Sequence, residues 1–332
     1  MAIGETIRWG ILSTGDIARQ FTQDLALVED AEVLAVGSRS QESADAFAQT
    51  HGIPRAYSSY QALADDPDVD VIYIGTPHVF HKENTLMCLH AGKHVLCEKP
   101  FTINAQEADE CIALAREKNL FLMEAVWTRF IPAIIKVQDA LNNDVIGKQL
   151  SVQANLSFHM PFDPEHRLFN KALGGGALLD VGVYPLTIAT MLLGMPDGIE
   201  SHALIGESGV DEQVSMLLKY ESGASAILHA GINGNLTNHA MIKGTTGTLT
   251  IHEPFWHPES YTVRQYGSED AETVEIPYDG FGYADEARAV HAQLRAGAIE
   301  HPRMSHQMTR DMMQLCDELR RSWGLVYPQE AI

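Results

Sequence analysis

The chain has 332 residues, of which 45% are hydrophobic and 20% are charged, a composition typical of a folded globular protein and not of a disordered one. Its 23 basic and 44 acidic side chains give a formal net charge of −21 at neutral pH, which repels a phosphate backbone and argues against nucleic-acid binding. The length exceeds what one hydrophobic core usually fills, so two domains are expected.

The four cysteines and the first residues bear on the compartment. No cysteine pair has the C-x-x-C spacing of a metal or redox site, which fits a reducing environment. The N-terminus lacks a basic segment followed by a long apolar run, and no downstream stretch is uninterrupted enough to cross a membrane. These features predict a cytoplasmic protein without a signal peptide, a membrane span or a membrane partner.

The first part of the chain alternates short apolar runs with stretches of helical spacing, which predicts repeated βαβ units and a parallel sheet. The predicted strands are Ile7–Leu12, Val33–Val36, Val71–Ile74, Val95–Cys97 and Leu120–Glu124. The predicted helices are Asp16–Leu27, Gln41–Gln49, Lys82–Ala91 and Ala105–Lys118. Asn104 and Glu107 have the spacing of a capping box at the start of the last of these helices.

After Thr128 the pattern changes to alternating apolar and polar residues, which predicts half-buried antiparallel strands. Hairpins are predicted around Gly223 and around Gly244–Gly247, and helices over Ala177–Leu193 and His306–Trp323. The sequence therefore predicts an α/β protein in which residues 1–126 form a domain with a parallel sheet. Residues 127–332 are predicted to form a second α/β domain with a large, mostly antiparallel sheet.

A candidate dinucleotide site lies in the turn that follows the first predicted strand. The turn reads Ser13-x-Gly15-x-x-Ala18, so it keeps the middle glycine of a G-x-G-x-x-G/A fingerprint and has serine in place of the first. A helix N-terminus in this context favours a pyrophosphate. The candidate contacts are Ser13, Thr14, Gly15, Asp16 and Ile17. The alternative is that Gly15 is an ordinary glycine of a strand-to-helix turn.

The end of the second predicted strand bears on the choice of dinucleotide. Ser38 and Arg39 stand where an NAD-preferring fold usually has an acidic residue that binds the ribose. A guanidinium can form paired, charge-assisted bonds to a 2′-phosphate. NADP is therefore expected over NAD, with NAD still possible. The alternative is that Arg39 is a solvated surface cation.

Polar residues end two further predicted strands. One strand is followed by Thr76, Pro77 and His78, and the other by Glu98-Lys99-Pro100. Ligands of open α/β sheets lie beyond the carboxyl ends of the strands, so Lys99 is expected to face a ligand. Taken without its strand, Glu-Lys-Pro is a common surface tripeptide.

These motifs resemble those of the Gfo/Idh/MocA oxidoreductases. The resembling segments are Thr76-Pro77, His81, Ala91-Gly92-Lys93-His94, Glu98-Lys99-Pro100 and Gly174–Pro185. The resemblance implies a Rossmann domain followed by a substrate-binding α/β domain whose open antiparallel sheet often forms a dimer face. A homodimer or a dimer of dimers is therefore expected. It also implies that Thr76, Pro77, His81, Glu98 and Lys99 contact the cofactor.

Within that family, Tyr184 stands where sugar and inositol dehydrogenases often carry histidine. This resembles the branch of dimeric dihydrodiol dehydrogenases and NADP-dependent xylose dehydrogenases. The resemblance implies hydride transfer between nicotinamide and a secondary carbinol or hemiacetal, with a vicinal diol (a trans-dihydrodiol) or an aldose sugar as the small-molecule substrate.

The chemistry of Asp180 and Tyr184 agrees with this reading. They are four residues apart on the predicted helix and would share one face. A phenol is a weak base near pH 7, and a nearby ammonium lowers its pKa. We therefore predict Tyr184 as general acid/base and Lys99 as its electrostatic partner, with Asp180 orienting Lys99 or a substrate hydroxyl. The alternative is a core tyrosine with a satisfied hydroxyl and an aspartate that caps the helix.

Other residues give weaker signals. Aromatic and guanidinium side chains suit the walls of a pocket for a ring substrate, and the candidates are Trp127, Arg129, Phe158 and Arg167. Phe158 is alternatively a core residue and Arg167 one half of an ion pair. The 15 histidines form no recognisable zinc motif, so no metal is predicted, and His81 is expected to line the nucleotide.

Two competing functions remain at this stage. An NAD-dependent glycosidase of the same family would oxidise its substrate transiently and regenerate the cofactor, so it would give no net NADPH. A non-catalytic NADP sensor would keep the fold and bind a partner protein. The joint presence of Lys99, Asp180 and Tyr184 favours the dehydrogenase.

Overall fold

The computed structural model describes residues 4–330 of the chain. These divide into two compact units, the first made of residues 4–130 and 279–313 and the second of residues 131–278 and 314–330. The sequence predicted one crossing near residue 126. The structure instead returns a later segment of the chain to the first unit.

The first unit is built on a six-stranded sheet in which all neighbouring strands are parallel, in the order β3-β2-β1-β4-β5-β6. This is the strand order of a Rossmann fold, and it confirms the predicted parallel sheet. The strands are β1 (Ile7–Leu12), β2 (Ala31–Gly37), β3 (Arg55–Tyr57), β4 (Val71–Ile74), β5 (His94–Glu98) and β6 (Leu122–Ala125). The strand order reverses between β1 and β4, where ligands of such sheets bind.

Helices cover this sheet. They are α1 (Asp16–Leu25), α2 (Gln41–His51), α3 (Tyr60–Ala64), α4 (His81–His90) and α5 (Ala105–Lys118). The N-cap hydrogen bond of the capping box predicted for α5 is present, because the Asn104 side chain accepts a hydrogen bond of 2.9 Å from the backbone N–H of Glu107. The main helices and strands predicted for this part of the chain are thus confirmed within a few residues at their ends.

The returning segment contains a helix that is anchored to β1, namely α8 (Ala284–Ala296). Two helices of the second unit, α6 (Pro132–Asn142) and α7 (Val183–Leu193), precede it in the chain. Trp9 Nε1 donates a buried hydrogen bond of 2.9 Å to His291 Nε2, and His291 Nδ1 lies 2.9 Å from the Asp30 carboxylate. No local signal marks this pairing, since its partners lie at opposite ends of the sequence.

The second unit is built on an eight-stranded sheet in the order β14-β13-β12-β11-β7-β10-β9-β8. Its strands are β7 (Gln149–Ser157), β8 (Gly198–Ile205), β9 (Asp211–Lys219), β10 (Ser225–Gly231), β11 (Ala240–Gly244), β12 (Gly247–Ile251), β13 (Ser260–Gln265) and β14 (Ala271–Glu275). The two predicted hairpins are confirmed as the antiparallel pairs β9–β10 and β11–β12. β10 pairs with β7 in parallel, so the sheet is mostly antiparallel.

One face of this sheet is packed and the other is open. α7 lies against β7 and β10, where Ala154 and Leu228 are buried. On the opposite face Gln153 and Ile227 are exposed.

The apolar stretch Lys171–Leu193 is long enough to cross a membrane, but 78% of its most apolar window is buried within the protein, as in the core helix of a globular fold. The remaining long helix, α9 (His306–Trp323), has the predicted bounds.

Candidate active site

The turn between β1 and α1 has the geometry of an anion-binding loop. Ser13, which replaces the first glycine of the fingerprint, has a φ of 126°, a region that glycine prefers. Its hydroxyl accepts a hydrogen bond of 3.2 Å from the backbone N–H of Gly15, and its own N–H donates to Gly37 O at 3.1 Å. Within the described residues no side chain caps the start of α1 at Gly15, and helix N–H groups without such a cap can bind an anion. Asp16 is exposed, and Thr14 and Ile17 are half-buried.

The end of β2 presents a guanidinium. Ser38 is buried and its backbone N–H donates to Tyr57 O at 3.0 Å. Arg39 is exposed, and in the described part of the chain it makes no hydrogen bond or ion pair. Burial raises the pKa of Tyr60, and the positive charge of Arg39 opposes that rise. An exposed guanidinium at this strand end suits a phosphorylated ribose.

His81 holds the turns after β4 and β5 together. Its Nε2 lies 2.8 Å from Thr76 O and its Nδ1 lies 3.0 Å from Pro100 O. Burial lowers its pKa to about 4, so near pH 7 the neutral ring donates to one carbonyl at a time. Only 1% of His81 is exposed, so it positions the two turns from beneath, whereas we expected it to line the nucleotide. Thr76 is buried and accepts from Asn84 at 3.1 Å through its hydroxyl.

Glu98 fixes the backbone on which Lys99 is carried. One carboxylate oxygen of Glu98 accepts from the Tyr73 hydroxyl at 2.7 Å, and the other accepts from the backbone N–H of Lys99 at 3.2 Å. Glu98 is buried and Lys99 is half-buried. Pro77, at the neighbouring strand end, is exposed. Lys99 therefore leaves the carboxyl end of β5 from a held backbone position.

Trp127 and Arg129, the two pocket candidates just after β6, are buried inside the first unit. Trp127 is buried and stacks on Tyr283 with ring centroids 4.4 Å apart. Arg129 is also buried and donates to Arg303 O at 3.4 Å. Burial lowers the pKa of Arg129 to about 10, and Glu124 opposes this shift. Arg129 thus packs within the first unit. This geometry does not support the expectation that it contacts substrate.

The glycine run of the second unit has a packing role. A Cβ at Gly175 would lie 2.7 Å from the backbone oxygens of both Arg167 and Leu168, closer than real Cβ contacts. Gly176 has a φ of 130°, and a Cβ there would overlap a carboxylate oxygen of Asp211. The glycine run therefore allows the backbone at Arg167–Leu168 and the side chain of Asp211 to pack closely against it. This packing lies at the start of the helix that carries Asp180 and Tyr184.

Asp180 and Tyr184 lie on a helix that is irregular at its start. Leu178–Gly182 forms a π-helical turn, and α7 follows directly from Val183. The sequence predicted one regular helix over both residues. π-helical turns inside helices are rare and occur frequently at functional sites. Asp180 and Tyr184 are each 8% exposed.

Arg167 forms an ion pair with Asp180. Its guanidinium donates two hydrogen bonds to the two carboxylate oxygens, at 2.7 and 3.4 Å. Partial burial lowers the pKa of Arg167, but the charge and hydrogen bond of Asp180 and the charge of an ionised Tyr184 raise it above its usual value. Arg167 therefore lies within electrostatic reach of Tyr184. The sequence offered a pocket wall or an ion pair for Arg167, and the structure shows the ion pair.

Aromatic rings lie near Tyr184 in the same unit. The Trp256 ring centroid is 6.1 Å from that of Tyr184, at an angle of 41°. Phe158, just after β7, is half-buried, and its backbone N–H donates to Gly231 O at 3.2 Å. Sequence reasoning missed Trp256, because it lies in an irregular segment far along the chain from Tyr184.

Cysteines and metal-type side chains form no centre in the described residues. Cys88, Cys97, Cys111 and Cys316 are free and buried, and burial raises the pKa of Cys111 to about 12. Between residues 4 and 330, no cluster of three or more histidine, cysteine or acidic side chains is arranged to hold a metal ion.

Profiles of known protein families match both halves of the chain. Residues 7–126 match the oxidoreductase family with an NAD-binding Rossmann fold, and residues 134–250 match the GFO/IDH/MocA C-terminal domain. Curated relatives match over nearly the whole length. The chain is 39% identical to trans-1,2-dihydrobenzene-1,2-diol dehydrogenase of Sus scrofa, covering 98% of this chain and 99% of that protein. It is 37% identical to the Homo sapiens protein of the same name, with the same coverage.

Solved structures give a consistent result. A 3-ketoreductase from Actinomadura kijaniata, in complex with NADP and TDP-benzene, superposes with a TM-score of 0.83 at 32% identity, covering 95% of this chain and 97% of that one. An aldose-aldose oxidoreductase from Caulobacter crescentus superposes with a TM-score of 0.87 at 23% identity, covering 96% and 97%, a likeness of fold alone.

Proposed function

The chain belongs to the Gfo/Idh/MocA family of oxidoreductases, and on that premise we propose that it is an NADP-dependent dehydrogenase of secondary carbinols, with a vicinal diol or an aldose as substrate. The observation that carries the proposal is the pair formed by Arg167 and Asp180, one helical turn from the buried phenol of Tyr184. Such a group of one acid/base and two fixed charges suits proton transfer to or from a carbinol oxygen.

The first unit supplies the cofactor site in this proposal. The uncapped start of α1 and the turn at Ser13 and Gly15 offer backbone N–H groups to a pyrophosphate. Arg39, exposed at the end of β2, offers its guanidinium to a 2′-phosphate, and Ser38 brings no negative charge to repel it. These features favour NADP over NAD. When bound, the nicotinamide accepts or supplies a hydride at its C4 atom.

The second unit supplies most of the chemistry. Tyr184 takes the hydroxyl proton from the carbinol in oxidation and returns it in reduction. The Arg167 guanidinium stabilises the phenolate electrostatically, and Asp180, held by that guanidinium, can accept a hydrogen bond from a second substrate hydroxyl. Lys99 is proposed as the cation that favours the ionised forms of Tyr184 and of the reacting oxygen.

The substrate class follows from these groups and from the relatives. A vicinal diol has one hydroxyl for Tyr184 and a neighbouring one for Asp180. The Trp256 ring, 6.1 Å from that of Tyr184, is an apolar surface for a carbocycle or a sugar ring. The curated relatives carry names that specify a cyclic trans-diol. We therefore place trans-dihydrodiols first and aldoses second.

Assembly and location belong to the same proposal. The open face of the second sheet carries exposed Ile227, half-buried Leu217 on the neighbouring strand and half-buried Met241 two strands away, and a second copy of the chain would cover them. We propose a homodimer through this face, with a dimer of dimers as the larger form. Four buried thiols without a disulfide suit a reducing cytoplasm.

The test is a spectrophotometric screen at 340 nm that crosses NADP and NAD with trans-dihydrodiols, aldoses and inositols. We expect net NADPH formation, fastest with a cyclic trans-diol or an aldose, and slower formation of NADH. Cofactor binding without turnover of any substrate would contradict the dehydrogenase and favour a sensor. A chromogenic glycoside is assayed beside the screen, and its cleavage without net reduced cofactor would instead favour a glycosidase.

A further inference from the structure

The helix that carries Asp180 and Tyr184 starts on a buried carboxyl group. Asp211, the first residue of β9, is 0% exposed. Its Oδ2 accepts a hydrogen bond of 2.6 Å from the backbone N–H of Leu178, and the backbone N–H of Ala177 also stabilises the carboxylate. The first N–H groups of a helix have no partner within the helix, so a carboxylate at this place binds the backbone where the π-helical turn begins.

Groups from the C-terminal part of the chain surround this carboxyl. The positive charge of Arg320 in α9 opposes the rise in the pKa of this carboxyl, and the hydroxyl of buried Tyr327 lies with Asp211 Oδ1 around Gly176. The Tyr327 hydroxyl donates 2.8 Å to Gly175 O, and the Arg320 guanidinium stacks 4.9 Å from the centre of the Tyr327 ring. Arg320 is in turn bonded to Glu330 at 2.7 Å. The backbone on both sides of Gly176 is thus fixed by one buried cluster.

The sequence around the turn is matched to this cluster. A methyl group at Gly176 would overlap Asp211 Oδ1 and would lie 3.4 Å from the Tyr327 hydroxyl. Glycine is therefore needed both for the φ of 130° and for the close approach of the carboxyl group. In the described residues Oδ1 of Asp211 has no hydrogen-bond partner, so the contacts of this side chain are directed to the helix start through Oδ2.

We propose that Asp211 is a positioning residue of the reaction, which sets the directions of Asp180 and Tyr184 by holding the backbone of the π-helical turn at Leu178. The proposal rests on the roles proposed above for Asp180 and Tyr184. It assigns Asp211 no contact with substrate or cofactor.

The protonation state of Asp211 changes the strength of its hydrogen bonds to the start of the helix. Burial raises the pKa of Asp211 to about 7, although its backbone hydrogen bonds and Arg320 oppose the rise. The ionised form accepts charge-assisted hydrogen bonds from the helix start, which are stronger than those of the neutral acid. The start of the helix is therefore held more tightly above neutral pH than below it.

The direct test observes Tyr184 without turnover. The protein is labelled with ring-¹³C tyrosine, and the Tyr184 signal is assigned by its loss in Tyr184→Phe. We expect Asp211→Ala to shift or broaden this signal, Asp211→Asn to leave it near its original position because the amide oxygen still accepts from Leu178, and Ser215→Ala on the same strand to leave it unchanged. An unchanged signal in Asp211→Ala would overturn the proposal even if the chain catalysed a different reaction.

Kinetics add a second readout. A displaced acid/base typically costs about 10- to 100-fold in rate, so kcat of Asp211→Ala should fall by that factor while the Kd for NADP changes less than about threefold, and Asp211→Asn should restore most of kcat. If Asp211→Ala does not fold, the pH titration of the Tyr184 signal decides. The signal of the unmodified chain should move near pH 7 and that of Asp211→Asn should not. An identical movement in both would overturn the proposal.

Discussion

The guanidinium of Arg167 and the carboxylate of Asp180 are joined by hydrogen bonds of 2.7 and 3.4 Å. A single arginine thus holds the aspartate of the site in a two-point geometry and also lies within electrostatic reach of Tyr184. From sequence alone, only Lys99 was a candidate for the cation that acts on the phenol. The structure adds a second cation, located in the same unit as the phenol.

Removal of the Arg167 guanidinium should slow the reaction, because Asp180 loses the partner that holds it. We expect Arg167→Met to lower kcat/KM by about 10- to 100-fold, because it frees the carboxylate and removes positive charge near Tyr184. The double variant with Asp180→Asn should lose much less than the sum of the two single losses, since each change breaks the same interaction. Steady-state kinetics of the four proteins measure this coupling. Fully additive losses would show that the pair does not act as a unit.

Cofactor preference should depend on Arg39. We expect Arg39→Ala to weaken NADP binding by about 10-fold or more through loss of the charged contact to the 2′-phosphate, and to leave NAD binding nearly unchanged. Fluorescence titration with both cofactors measures the two constants. Arg116→Ala, at another exposed arginine of the same unit, is the matched control. Equal weakening of both cofactors would place Arg39 away from the 2′-phosphate.

Gly176 should tolerate no side chain. We expect Gly176→Ala to reduce the free energy of unfolding by about 2–4 kcal/mol, from overpacking against Asp211 added to the strain of a positive φ. Gly223→Ala is the control, because Gly223 also has a positive φ of 82° but no atom within 4 Å of the added Cβ. Thermal unfolding compares the two variants. Equal losses would mean that the contact with Asp211 adds nothing to the backbone strain.

Glu286 should make stability depend on pH. It is 0% exposed, both of its carboxylate oxygens lack a hydrogen-bond partner in the described residues, and burial together with the charges of Glu98 and Asp24 raises its pKa well above the usual value. The folded state therefore retains a proton that the unfolded state loses above about pH 4.3, so this group lowers stability as the pH rises from there towards its folded pKa.

Replacement by a neutral isostere removes this dependence. We expect Glu286→Gln to gain in Tm relative to the unmodified chain as the pH rises from 5 to 8, with a slope of up to about 1.4 kcal/mol per pH unit in the free-energy difference. Glu272→Gln, at an exposed position of β14, is the control and should show no such trend. A difference in Tm that stays constant over this pH range would show that Glu286 is ionised in the folded protein.

The open sheet face should decide the oligomeric state. Ile227 is 52% exposed on this face, and a charge there would have to be buried in a dimer. We expect Ile227→Lys to sediment as a monomer at micromolar concentration, whereas Ala113→Lys, on the exposed side of α5, should sediment as the unmodified chain does. A monomeric unmodified chain would contradict the proposed interface.

Local patterns were sufficient for much of the fold. The period of the apolar residues predicted β1 and α5 with their observed bounds, and the Asn104 capping box was legible because all its partners are within four residues. Ser13 was recognised as a departure from the glycine fingerprint. Its positive φ and the hydrogen bond from Gly15 show how a serine occupies that place.

Contacts between distant segments could not be read in this way. α8 is joined to β1 by the hydrogen bond between Trp9 and His291, and the start of the helix that carries Asp180 and Tyr184 is bonded to Asp211. The π-helical turn is set by such packing and not by a local propensity. His81 illustrates the same limit, because its position near the predicted cofactor loop was legible while its burial between two backbone carbonyls was not.

The proposed role of Tyr184 is tested most directly by the turnover of Tyr184→Phe with NADP and the best substrate of the screen. The change removes one oxygen atom and keeps the ring that packs near Trp256. We expect kcat to fall by about 10²-fold or more while the Kd for NADP stays the same, as for loss of a general acid/base. Turnover equal to that of the unmodified chain would contradict the account.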